Sequence, residues 1–165
     1  MATLGLSIKD AATALRRFAG TGRRFEVQGE AKGVLVINDY AHHPTEIRAT
    51  LSAARARYPK RRLWAVWQPH TYSRKRTLFK DFTHAFEDAD EVIVTEVYAA
   101  REARQDFSSE EVVKAMSHPS VHFMDTLDDA TAYLLEHVDK DDVVLVLSAG
   151  DADQVSESLL TALES

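Results

Sequence analysis

Val34-Leu35-Val36-Ile37-Asn38-Asp39-Tyr40-Ala41-His42-His43-Pro44-Thr45-Glu46 is the stretch on which the reading of the fold turns. An apolar, largely β-branched run from Val34 to Ile37 breaks off into Asn, Asp, Tyr and two His. Pro44 and Thr45 then open a helix, with Ile47, Leu51, Ala54 and Tyr58 at helical spacing until Pro59 stops it. A strand that ends in polar and aromatic residues and turns at once into a helix is the βα unit of an α/β domain. Ligands gather at such a place because the carboxyl end of the strand meets the positive end of the helix.

The same pattern recurs downstream. Leu63 to Trp67 is an apolar strand running into Gln68-Pro69-His70-Thr71-Tyr72-Ser73-Arg74, followed by a helix with Leu78, Phe79, Phe82 and Phe86 on its buried stripe. Glu91 to Val97 reads as a strand ending in Tyr98-Ala99-Ala100-Arg101-Glu102. A helix follows it, started by Ser108 or Ser109. Val121 to Met124, Thr126 to Val138, Val143 to Leu147 and Gln154 to Leu163 continue the alternation of strand and helix. Upstream, Arg23 to Gln28 and Val34 to Ile37 flank Gly29 to Gly33, which suggests an antiparallel hairpin. Short apolar strands of this kind are covered on both faces. The expected fold is α/β, a Rossmann-like doubly wound, mostly parallel sheet of about six strands. Helices lie on both faces and a hairpin stands at its start. A further short helix is expected over residues 8 to 18, ended by Gly20-Thr21-Gly22.

A chain of 165 residues suffices for one well-cored domain. Its composition, 45% hydrophobic and 28% charged, is that of an ordinary globular protein. No apolar run approaches the roughly 20 residues of a membrane helix, and no signal-peptide pattern opens the chain. With no cysteine there is neither a disulfide framework nor a thiolate metal site, which points weakly to the cytoplasm. A formal charge of -6 argues against a sequence-independent nucleic-acid binder. The basic run Arg55-Arg57-Lys60-Arg61-Arg62 reads as a solvated helix end and turn.

In a parallel sheet, the segments that follow the strands share one rim. That rim collects Asp39, Tyr40, His42 and His43; then His70, Tyr72 and Arg74; then Tyr98, Arg101 and Glu102; then Ser148 to Asp151. The opposite ends carry plain turns such as Pro59-Lys60-Arg61. Each rim residue also has a structural reading. Asp39 could cap the helix, and His42 and His43 could be hydrogen-bonded in a tight turn. With His70 the two histidines could ligate zinc, yet no cysteine or close carboxylate completes a set. Arg74 opposes the dipole at a helix start, which favours an anion brought by a ligand. Arg23 and Arg24 could discourage edge-strand association or clamp a phosphate. No G-x-x-x-x-G-K-[ST], G-x-G-x-x-G or G-x-S-x-G occurs, so a complete enzyme is hard to find in these residues.

Gly22-Arg23-Arg24-Phe25-Glu26, Asn38 to Glu46, Gln68 to Arg74, Val97 to Glu102 and Ala149-Gly150-Asp151 together resemble the C-terminal domain of the Mur ligase family. The match covers nearly the whole chain: residues 22–165 look like that domain, and residues 1–21 like the tail of a preceding central ATPase domain. The D-Y-A-H-x-P core is common to the family. The segment Gln68 to Arg74 is more particular to its alanine-adding branch. The resemblance implies an ATP-dependent ligase of peptidoglycan synthesis. In such a ligase ATP phosphorylates the carboxylate of UDP-N-acetylmuramate and the amine of L-alanine attacks the acyl phosphate. Magnesium is bound mainly by the central domain, which this chain lacks together with the N-terminal one.

Carried over by position, the resemblance implies that Asp39 holds the nucleotide ribose and Arg24 reaches the nucleotide, with Tyr40, His42 and His43 lining that side. His70, Tyr72, Arg74 and Tyr98 would face the amino acid. Asn38 stands where many relatives carry a second aspartate. No catalytic residue is expected in the fragment by itself, which should be inactive alone. Competing readings are a ligase that recycles a murein tripeptide onto the same UDP-sugar, a non-catalytic nucleotide-binding module and a plain interaction domain.

Overall fold

A computed structural model describes residues 22–165. The helix expected over residues 8 to 18, and the reading of residues 1–21 as the tail of another domain, lie outside the described residues.

The chain runs β1 (Glu26–Ala31), β2 (Val34–Asp39), α1 (Pro44–Arg57), β3 (Leu63–Trp67), α2 (Tyr72–Thr77), α3 (Phe79–Phe82), β4 (Glu91–Thr95), α4 (Glu110–Ala115), β5 (Val121–Met124), α5 (Leu127–His137), β6 (Val143–Leu147) and α6 (Asp153–Glu164). One six-stranded sheet has the order β1-β2-β6-β3-β4-β5. The β1–β2 pair is antiparallel and every other pair is parallel. The Rossmann-like α/β fold with its opening hairpin is therefore present.

Every residue of β2, β3 and β6 is buried, because these central strands are covered on both faces. Alternate side chains feed two cores, as the pleat dictates. Leu35, Ile37, Ala65, Trp67, Leu145 and Leu147 pack with Ile47 and Leu51 of α1 and with Phe82, Phe86 and Val112. Val34, Val36, Trp64, Val66, Val144 and Val146 pack with Ala130 and Leu134 of α5 and Val155 and Leu159 of α6. The crossovers from β2 to β3, β4 and β5 all step one way across the sheet and lie on one face. The return from β5 to β6 passes over the other face, as crossovers of a single hand require. That return inserts β6 between β2 and β3.

Three boundaries differ from the sequence reading. The hairpin turn is only Lys32-Gly33, both at positive φ (48° and 82°), so β1 continues through Gly29 to Ala31 with a register shift between Val27 and Gly29. The single helix expected after Arg74 is broken at Leu78 (φ -107°, ψ 19°), since α2 buries Tyr72 and Lys75 while α3 buries Phe82. β4 ends at Thr95 because the Glu96 carboxylate takes the Val97 amide at 2.7 Å and ends the ladder.

Candidate functional site

The parallel register sets Asp39, Leu147 and Trp67 level with one another across β2, β6 and β3. The next residues of each strand therefore leave the sheet side by side. Beyond the strand ends, His70 and Tyr98 form an isolated parallel bridge, with the Tyr98 amide donating to Pro69 O and the Thr71 amide to Tyr98 O, both at 2.9 Å. Thr71 has φ 65°, an uncommon conformation for a β-branched residue, which locates backbone strain at the turn into α2.

On this rim the side chains form an unbroken aromatic row. Tyr40 meets His42 edge-on (5.2 Å between ring centroids), His42 meets His70 (5.8 Å), and His70 stacks on Tyr98 (5.9 Å, planes 27° apart). Asp39, His70 and Tyr98, read as one site, thus lie at one rim. At one end of the row Arg24 is exposed, its guanidinium 5.4 Å from the Tyr40 centroid. Near the other end Arg74 Nη1 donates to His70 Nδ1 at 3.2 Å. Burial, the Arg74 charge and the nearby His42 lower the His70 pKa below the ordinary imidazole value, with Glu102 opposing. His70 is accordingly neutral at pH 7, with its proton on Nε2. His42 Nδ1 donates to the Tyr40 carbonyl at 2.8 Å, which leaves its Nε2 as an acceptor when neutral.

Other candidates carry structural loads. Asp39 is 7% exposed, and its carboxylate accepts from the Phe25 and Ala41 amides, each at 2.8 Å. It ties the entrance of the hairpin to the end of β2. Asp39 does not cap α1; His43 does. The His43 Nδ1 accepts from the Thr45 amide at 3.3 Å, and Glu46 reaches back to the amides of His42 and His43. This is a capping box with Pro44 opening the helix. Burial works to raise the Glu46 carboxyl, but those amides and the His42 and Arg24 charges bring it below its ordinary value. Tyr72 is buried at 4% exposure, against a depression shared with Glu96, Ala99 and Arg104. The dipole argument for Arg74 falls away: α2 has six residues, and its first turn already meets the Glu102 carboxylate at the Ser73 amide (3.0 Å).

Several residues that the sequence reading gave another role, or named only within a motif, hold the frame of the site. Arg23, rather than standing free, donates to Gly150 O at 3.0 Å and Ser148 O at 2.9 Å, so that it staples the hairpin entrance to the end of β6. Gln68, 5% exposed, accepts from Ser148 Oγ (2.7 Å) and the Asp151 amide (3.1 Å) and donates to Asp151 Oδ1 (2.7 Å). A buried amide satisfied on both sides holds β3 and β6 ends in register. A Cβ on Gly150 would lie 2.6 Å from Tyr98 Cγ and closer still to Gln68 Oε1, so only glycine lets the two loops meet. A cavity of about 260 Å³, lined among others by Gln68, Tyr98, Thr126 and Asp151, opens beside the row. Another depression lies elsewhere, between His84, Phe86, Met116 and His118. Among the described residues no group of three His, Asp or Glu side chains is arranged to hold a metal, and no helix is long and apolar enough to cross a membrane.

A family model described as "Mur ligase, glutamate ligase domain" matches residues 23–150. A UDP-N-acetylmuramate–L-alanine ligase from Gloeobacter violaceus is 46% identical over 164 residues, covering 98% of this chain and 35% of that protein. The chain thus spans about a third of the length of the curated relatives it matches. Among solved structures, a murein peptide ligase from Psychrobacter arcticus aligns with a TM-score of 0.78 and 30% identity, over 98% of this chain and 34% of that one. A UDP-N-acetylmuramate-alanine ligase from Thermotoga maritima aligns with a TM-score of 0.73 and 27% identity, over 96% and 34%.

Proposed function

The chain belongs to the Mur ligase family, and from that membership we propose that it is the C-terminal domain of the ligase that joins L-alanine to UDP-N-acetylmuramate. In this reading ATP activates the muramoyl carboxylate as an acyl phosphate and the alanine amine displaces phosphate. The domain closes over the nucleotide and places the amino acid, in the cytoplasm where ATP is available. The observation that carries the reading is the 46% identity to an alanine ligase over 98% of this chain. The aromatic row Tyr40–His42–His70–Tyr98, with a guanidinium near each end, supports a ligand site at the rim.

The residues present suit a nucleotide on one side and an amino acid on the other. Arg24 is an exposed guanidinium over an aromatic face, a donor set that takes a phosphate. Tyr40 lies under it, and Tyr40, His42 and His43 are assigned the wall of the nucleotide side. Asp39 keeps one lone-pair direction on each carboxylate oxygen after its two backbone bonds, enough to accept the ribose hydroxyls. On the other side Arg74 is the charge for the amino-acid carboxylate, with neutral His70, Tyr98 and the buried Tyr72 shaping the space. Magnesium, when bound, screens the phosphate charge; its ligands are assigned to the preceding central domain. The N-terminal domain is assigned the UDP-sugar.

A second reading, ligation of a murein tripeptide to the same UDP-sugar, is favoured by the TM-score of 0.78 to the murein peptide ligase. The 46% identity to an alanine ligase favours the first. Assays of the full-length enzyme with alanine and with tripeptide separate them. Alanine is expected to be the faster substrate, and exclusive use of the tripeptide would reverse the order. In the same enzyme Arg74→Ala should raise the KM for the amino acid about 10- to 100-fold, the cost of one charge-assisted hydrogen bond.

A further inference from the structure

Arg74 sits on α2, and a helix of six residues has no stability of its own. Its place is set by what it buries, and its buried side chains are Tyr72 and Lys75. Tyr72 anchors it without direction. Lys75 is different. At 1% exposure its ammonium donates to the Phe107 carbonyl at 3.0 Å and lies 3.7 Å from the centroid of the Phe107 ring.

Phe107 ends the loop that leaves β4 and enters α4. Glu96 closes the base of that loop, taking the Ser108 hydroxyl at 2.7 Å and the Ser109 amide at 3.1 Å. The other bonds from α2 to the loop, Ser73 to Glu102 and Arg76 to Gln105, are exposed and contribute little. Lys75 therefore makes, from a buried side chain, the directional bond between the helix that carries Arg74 and the fixed end of the loop. Burial lowers its pKa to about 8, with Arg76 adding to the fall and Glu96 and Glu111 opposing it. At pH 7 it is still a cation. A buried cation is poor at stabilising a fold, and an apolar residue of its length commonly does so better; what a directional bond supplies is a defined geometry.

We propose that Lys75 is a positioning residue: by holding α2 to the Phe107 carbonyl it keeps the Arg74 guanidinium on His70, and so shapes the amino-acid half of the site. This rests on the amino-acid role proposed above for Arg74 and His70. The test uses the full-length enzyme and Lys75→Met, which removes the donor and keeps the length. The KM for the amino acid should rise about tenfold, the worth of one net hydrogen bond, while the KM for ATP and kcat stay within about twofold. The melting temperature should hold or rise. Because the Arg74 charge is among the causes that lower His70, the His70 titration followed by NMR should move up toward the ordinary imidazole value. Phe107→Leu keeps the carbonyl and should leave both readouts near wild type.

An unmoved His70 titration in Lys75→Met, or equal effects from Phe107→Leu, would overturn the assignment in favour of plain packing. Should Lys75→Met fail to fold, Lys75→Gln, too short to reach the carbonyl, replaces it with the same expected shifts. If the wild-type enzyme uses neither alanine nor tripeptide, the functional reading falls, and the His70 titration still decides the role of Lys75.

Discussion

Asp39 carries a structural load at the position proposed above to hold the ribose. Its oxygens hold the Phe25 and Ala41 amides, and Phe25 itself has φ 46°, a backbone that needs such a hold. Asp39→Asn turns one acceptor into a donor facing a backbone N–H, which leaves that amide unpaired. We expect a loss of about 1–3 kcal/mol in urea unfolding. In the full-length enzyme the same change should raise the KM for ATP more than that for alanine; equal effects on both would count against the ribose role. Residue types announced the chemistry at this scale: a carboxylate, imidazoles and an aromatic after an apolar strand. They did not announce which of them are consumed by the fold. His43 as a cap and Arg23 as a staple became legible only from their partners, and those partners lie as far away in sequence as Gly150.

At the scale of elements, the β6 and β4 end loops meet with no room for a side chain between them. Gly150 lies where any side chain would strike Tyr98 and Gln68. Gly150→Ala should cost about 1–3 kcal/mol by overpacking and should push Tyr98 off His70. Equilibrium unfolding of the 165-residue chain measures the first effect, and the His70 proton shifts report the second. A change of under about 0.5 kcal/mol, within the range of an ordinary surface substitution, would mean that the loops give way. Strand positions were readable with little error, since short, mostly apolar runs bounded by polar ends and turns have few other uses: Leu63–Trp67, Val121–Met124 and Val143–Leu147 stand where the pattern puts them. Helix α2–α3 was not. Its apolar spacing continues through Leu78, while the break follows from a buried lysine that periodicity counts as solvent-facing.

For the molecule as a whole, the place proposed for this domain in a larger ligase makes a specific forecast. The 165-residue chain alone should show no ATP hydrolysis or alanine incorporation, because it contains no phosphate-cradling loop of the familiar kinds. Turnover by the purified chain would contradict its assignment as one part of a larger ligase. The α/β class, the hairpin and the rim on which chemistry gathers follow from local pattern, because backbone hydrogen bonding and two-sided burial restrict each short apolar run to one state. Strand order is another matter. That β6, the last strand, lies between β2 and β3 is decided by the crossovers returning over the opposite face, and no local signal encodes it. Only that insertion brings Ser148 and Gly150 against Gln68, Arg23 and Tyr98. The candidate residues are thus present in the sequence, whereas their division into side chains left open at the rim and those that hold the frame is set by contacts between distant segments.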